Sequence, residues 1–306
     1  MSDRYINDAQ IGFGLRKASW KGYKWFWPTI ILLILVSLIP WLIMGSYSFR
    51  NINYIDPSAT REFIGLDNYR TALHDSEFID SIWLTAKIIL ICLPIEFLLG
   101  FLVSLCLSSQ MTLKKWTLPI ILIPMIISPI VVGLIGHLTL NPDFGLIGIT
   151  LRNLGIIKGS ILGNPKLAPF TIMAIDIWQY TPFIILIFTA GLLSLPKEPF
   201  EAAAVDGASS WQTLWNIKLP LLKPIFVIAI LLRFTDLFKI FDTILIMTGG
   251  GPGSTTENSN FFAYKINFKY WNLGYGSAVV MLLYIVSFLV CLIFVKMVTS
   301  KNEAMQ

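Results

Sequence analysis

Residues 201–220 read Glu-Ala-Ala-Ala-Val-Asp-Gly-Ala-Ser-Ser-Trp-Gln-Thr-Leu-Trp-Asn-Ile-Lys-Leu-Pro. This polar stretch separates two long apolar segments, and its residues predict two short helices with a bend. Pro199 suits a first helical turn, where its missing N–H would be unpaired in any case. Glu198 and Glu201 place carboxylates in that turn, favourably for the helix dipole. Ala202, Ala203 and Ala204 propagate helix, and Gly207 is free to take the left-handed conformation that ends it. Ser209 with Gln212 forms a capping-box pattern that starts a second helix. Trp211, Leu214 and Trp215 then share one face, and Pro220 marks the next change of element. The expected product is a compact helical knob with an apolar patch, of the kind that marks a partner site or lies on a membrane surface.

The segments around the knob set the fold class. The chain of 306 residues is 55% hydrophobic and 13% charged, with a mean hydropathy of +0.71. That is the composition of a polytopic membrane protein. Six predominantly apolar runs predict spans at about 25–49, 88–107, 116–140, 167–193, 221–247 and 270–295, with Trp25 and Trp27 as interface anchors of the first. A span must satisfy its backbone internally, so all six are expected to be helices. The expected fold is therefore an all-α bundle of six transmembrane helices, with a tail at 1–24, a membrane domain at 25–298 and a second tail at 299–306. With the N-terminus inside, inner segments hold 12 Lys and Arg against 9 outside, which puts both termini and the knob in the cytoplasm. The net charge of +5 reflects such loops and does not call for nucleic acid. The three cysteines, Cys92, Cys106 and Cys291, fall inside predicted spans and have no disulfide-framework or metal-ligand spacing.

Glu-Ala-Ala, three residues, Gly, nine residues, then Ile-x-Leu-Pro resembles the EAA signature of permease subunits of carbohydrate ABC importers. The matching positions are Glu201, Ala202, Ala203, Gly207, Ile217, Leu219 and Pro220. Three other elements resemble the same family: Phe63-Ile64-Gly65-Leu66-Asp67-Asn68-Tyr69, Thr248-Gly249-Gly250-Gly251-Pro252-Gly253, and Gly274-Tyr275-Gly276-Ser277-Ala278. The resemblance implies a type I importer fold in a bacterial cytoplasmic membrane. It implies that the loop 197–220, with Trp211 on its exposed face, docks on an ATPase. The implied partners are a second homologous permease subunit, an ATPase dimer, an extracytoplasmic solute-binding protein, the lipid bilayer and a carbohydrate. The chain itself would bind no cofactor and be no enzyme, ATP and Mg being held by the ATPase.

Charges inside spans are costly, at least about 2.5–3.5 kcal/mol each on insertion scales. The fifth span carries Arg233, Asp236, Lys239 and Asp242 at every third position. This pattern predicts an internal ion-pair ladder, a face on a water-filled path, or both. In the fourth span Asp176, Gln179, Tyr180 and Phe183 form one helical stripe, whose polar groups and rings suit a sugar; a polar helix–helix contact is the other reading. In maltose-type permeases the midspan sugar site comes from the helices flanking the EAA loop. The resemblance places Asp176, Gln179, Tyr180 and Phe183 on one of these, Arg233, Asp236, Leu237 and Ile240 on the other, and Ser128 near a third contributor. Asp176, Arg233 and Asp236 depart from the mostly neutral family site, and an Arg in the path could pair with a carboxylate or phosphate, so an acidic saccharide or a sugar phosphate is one expected substrate. Glu96, alone in the second span, reads as a hydrogen-bonded packing group.

No phosphate-binding Walker sequence, nucleophile elbow or His/Cys cluster is present, so nothing in the chain itself would drive transport; the resemblance implies an ATP-driven importer permease for a sugar or oligosaccharide, an acidic one included, whose energy arrives through the knob. The competing expectation is an ion-coupled secondary transporter using Glu96, Asp176, Asp236 and Asp242.

Overall fold

The computed structural model describes residues 26–109 and 111–302; the tail 1–24, Trp25 and the last four residues lie outside them. The described chain is helical. In order its elements are α1 (Trp27–Ser48), α2 (Asp67–His74), α3 (Ser76–Ser109), α4 (Met111–Ile126), α5 (Pro129–Thr139), α6 (Leu146–Asn153), α7 (Leu167–Leu193), α8 (Glu198–Val205), α9 (Ser210–Thr213), α10 (Leu219–Phe238), α11 (Asp242–Met247), α12 (Ser259–Tyr264) and α13 (Leu273–Asn302). Two π-helical turns, Leu214–Lys218 and Lys265–Lys269, extend α9 and α12.

Four helices, α1, α3, α7 and α13, are long and apolar enough to cross a membrane, and α4 with α5 forms a fifth stretch bent by 86°. The expected straight third span is thus a broken one. Pro129 explains the break, because a residue before proline is pushed out of the helical region; Ser128 is extended at φ −58°, ψ 137°. The expected fifth span is also interrupted. α10 ends at Phe238 and α11 restarts at Asp242, and Lys223, Arg233 and Asp236 leave α10 short of a purely apolar span. Carbonyls freed at such a break must find partners inside the protein. Asn258 Nδ2 donates to the Ile240 carbonyl at 2.6 Å and Asn260 Nδ2 to that of Phe238. The loop after the glycine-rich segment therefore folds back to close the break.

The second span begins at Ser76, well before the apolar run at Ile88. Its start is set by Asp75, whose carboxylate accepts from the backbone of Glu77 at 2.9 Å and of Phe78 at 3.4 Å, as an N-cap does. The Phe63–Tyr69 element ties off the end of α1. Asn68 Nδ2 donates to the carbonyls of Ser48 (2.9 Å) and Arg50 (3.0 Å), and the Tyr69 hydroxyl meets that of Ser48 at 2.7 Å.

Among the described residues α3 and α7 form the most extensive helix pair. At Gly100 an added Cβ would stand 2.6 Å from Ile184 Cγ2, so the missing side chain sets how near the two helices come. One core joins Ile88, Cys92, Met173, Leu237, Ile244 and Met247. A second is aromatic, with Phe97, Phe101 and Phe226 around Phe188 at ring separations of 4.6–5.8 Å. α1 packs mainly on α13 and is exposed along most of its length, as an element facing lipid or another subunit is.

Candidate functional site: a charged midspan pocket and an exposed helical knob

A cavity of about 200 Å³ opens where α7, α10 and the break before α11 meet. Its charged wall consists of Asp176 and Tyr180 from α7, Arg233 and Asp236 from α10, Lys239 at the break, and Asp242 at the start of α11. Phe241 and Ile240 supply apolar wall.

Arg233 is 1% exposed and organises the wall. Its Nε donates to Glu96 Oε2 at 2.6 Å and its Nη2 to Glu96 Oε1 at 2.8 Å, a two-pronged pair with a residue 137 positions away. The same Nη2 also donates to Asp176 Oδ2. The Tyr180 ring covers the guanidinium face at 4.2 Å, as cation–π attraction favours. Three helices are thereby joined at one point, and a buried charge has the partners it needs. Glu96 is a member of this group and not a lone packing acid. The expected ladder along α10 does not form: among the described residues Arg233 pairs across the bundle, while Asp236, Lys239 and Asp242 have no ion-pair partner within 4 Å. Helix α10 stops before Lys239, so the three-residue spacing no longer stacks these groups.

Cys92, Glu96 and Asp176 bring donor atoms within 4.8 Å of one another. The guanidinium already occupies the place a cation would take between the two carboxylates.

The other expected path residues divide. Ile240 lines the cavity. Gln179 is buried and donates from Nε2 to the Ile127 carbonyl at 3.0 Å, beside the bend between α4 and α5; its Oε1 has no partner among the described residues. Phe183 packs beside the phenylalanine cluster, and Leu237 belongs to the main core. Ser128 is exposed and stands just before α5, where its side chain makes no capping bond. The sequence reading missed Glu96 as the partner of Arg233. The available signal was charge: three ionisable groups in otherwise apolar runs must find one another.

The knob follows its expected plan at both ends. The Ala208 N–H donates to the Ala203 carbonyl at 2.9 Å and the Gly207 N–H to that of Ala204 at 3.2 Å, the two bonds of a Schellman stop, with Gly207 at φ +71°. Ser209 and Gln212 form the reciprocal capping box, at 2.8 and 3.3 Å. Glu201 and Ala202 face solvent at the first helix. Val205 is 88% exposed and Trp211 67%, and Trp211 packs edge-on against Trp215 at 5.5 Å. Pro220 stands in the first turn of α10, at the expected change of element, but the change is from a π turn to an α-helix and not a break. α9, the π turn and α10 are continuous in the chain, with Ile217 inside the turn and Leu219 closing it by a bond to Leu214. A widened turn accommodates a proline that has no N–H and would crowd the preceding carbonyl.

Residues 72–302 match the model of the family described as "Binding-protein-dependent transport system inner membrane component". The trehalose/maltose transport system permease protein MalF of Thermococcus litoralis is 32% identical over 281 residues, covering 90% of this chain and 92% of that protein. The sulfoquinovosyl glycerol transport system permease protein SmoG of Agrobacterium fabrum is 31% identical, covering 90% and 89%. In fold, the chain resembles a subunit of a bacterial ABC transporter that imports the acidic polysaccharide alginate, with a TM-score of 0.79 at 21% identity over 92% of this chain and 98% of that one. The chain belongs to the family of binding-protein-dependent transport system inner membrane components.

Proposed function

We propose that this chain forms half of the translocation path of an ATP-driven importer for a sugar or oligosaccharide, and that it is coupled to the ATPase through residues 197–220. As a member of its family it is a multi-pass permease subunit of the inner membrane and not itself an enzyme; it acts with a binding protein. The finer reading is a six-helix membrane domain at 25–298 with both termini in the cytoplasm, a second homologous permease subunit beside it, and an ATPase dimer holding ATP and Mg below. The carbohydrate substrate is supported by relatives named for trehalose, maltose and other sugar transport. The pocket beside α7 and α10 is the proposed sugar path.

One observation carries the coupling reading. The knob is locked at its bend by its own hydrogen bonds, yet it leaves Val205, Trp211 and Trp215 uncovered. Rigid exposed aromatics of this kind are the anchors on which interfaces depend. Of the four carboxylates the ion-coupled alternative would use, Glu96 and Asp176 are held by Arg233, while Asp236 and Asp242 stand on the cavity wall.

The test uses the complete importer in liposomes with its binding protein and a panel of sugars. Trp211→Ala removes an anchor of about 2 kcal/mol or more, which corresponds to a loss of roughly thirtyfold in docking. Sugar-stimulated ATP hydrolysis should fall accordingly in Trp211→Ala and in Gly207→Val, with the chain still inserted and helical. Unchanged stimulation in both variants would refute the coupling role.

A further inference from the structure

We propose that the midspan pocket selects uncharged saccharides and turns away acidic ones. This rests on the reading of the pocket as part of the sugar path. Two cations on the wall are suited to meeting a carboxylate or sulfonate, Lys239 and Arg233, and the Arg233 guanidinium already faces two carboxylates. Its Nε and Nη2 are spent on Glu96, Nη2 is shared with Asp176, and its face lies against Tyr180. The charges left without an ion-pair partner on the cavity wall are Asp236, Asp242 and Lys239, two carboxylates against one ammonium. An entering anion meets more repulsion than attraction from them.

The rest of the wall suits a neutral sugar. Asp236 and Asp242 offer acceptors for hydroxyl protons, and Lys239 offers donors to hydroxyl oxygens. Tyr180 and Phe241 offer ring faces for the apolar side of a pyranose. The cavity has the volume of roughly seven waters, the scale of one sugar ring.

The experiment measures direct binding to the detergent-solubilised complete importer without its binding protein, so that the selectivity of that protein does not enter. Tritiated trehalose, maltose and maltotriose are each compared by equilibrium dialysis with a counterpart carrying one uronate. The expected result is at least about tenfold tighter binding of the neutral member, with the gap narrowing in the Asp236→Asn, Asp242→Asn double variant. Equal binding of neutral and uronate sugars, or a gap unchanged in the double variant, overturns the selectivity while leaving the sugar path standing, provided Tyr180→Ala weakens both. If no sugar binds, or Tyr180→Ala changes nothing, the sugar-path reading fails and the selectivity with it.

Discussion

Replacing Arg233 with alanine removes the one cation between Glu96 and Asp176 and leaves two carboxylates buried. Their side chains are 0% and 4% exposed, so water cannot take over the three hydrogen bonds that Arg233 provides. Each hydrogen bond to a charged group is worth about 1.5–3 kcal/mol, and breaking a buried pair from one side costs about 3–5 kcal/mol. The expected loss is therefore about 4 kcal/mol, or roughly a thousandfold in the ratio of folded to unfolded protein. Arg233→Lys keeps the charge but not the two-pronged geometry and should fall between. The informative control removes all three charges together: Glu96→Gln, Asp176→Asn, Arg233→Met. A buried ion network replaced by neutral groups of similar size is often close to neutral in stability, so this triple variant should recover most of the loss. Denaturant unfolding of the complex in detergent, followed by near-ultraviolet circular dichroism, reads all four proteins. The reasoning is refuted if Arg233→Ala lies within about 1 kcal/mol of the unaltered protein, or if the triple variant is no more stable than the single one.

Further outcomes concern packing and pH. Gly100→Val drives a side chain into Ile184 and should destabilise by about 1–3 kcal/mol, with Ile184→Ala in the same chain restoring part of the loss in a thermal melt; additive effects would show that the helices do not touch as described. Lys265, outside the long helices, loses from partial burial, but hydrogen bonds to Glu257 and Glu77 outweigh this and hold its pKa above the ordinary lysine value. A raised folded pKa means that its stabilisation is complete below the unfolded value of about 10.4 and is lost as pH rises through the folded one. Melting temperature should thus fall more steeply above about pH 10 in the unaltered protein than in Lys265→Met, and parallel profiles would contradict this.

What could be read in advance was what chemistry fixes within a few residues. The stop at Gly207 and the box from Ser209 to Gln212 depend on neighbours in sequence, and they stand as expected. The apolar runs gave the long helices because backbone satisfaction in lipid leaves few other choices. The breaks were less legible. Pro129 was a local signal for the bend, but the Gln179 bond beside it comes from 52 residues away. The end of α10 is secured by Asn258 and Asn260, whose role depends on a loop folding back. In the pocket, the stripe Asp176 and Tyr180 was visible as a face, whereas Gln179 and Phe183 on that face serve neighbouring helices instead. Spacing along one helix fixes which side chains share a side, and only the packing of other helices decides what that side meets.

The continuity from Ser210 to Phe238 has a mechanical meaning. At about 1.5 Å per residue the helical run is roughly 40 Å long, with the paired tryptophans at one end and Arg233 near the other. It is a lever, and the guanidinium is where it is bolted to two neighbours. Between the tryptophans and Arg233 the helical backbone is continuous, through the π turn at Leu214–Lys218 and past Pro220. Through Arg233 the run is tied to α3 and α7, and the next break in its backbone lies past that tie, at Lys239–Phe241.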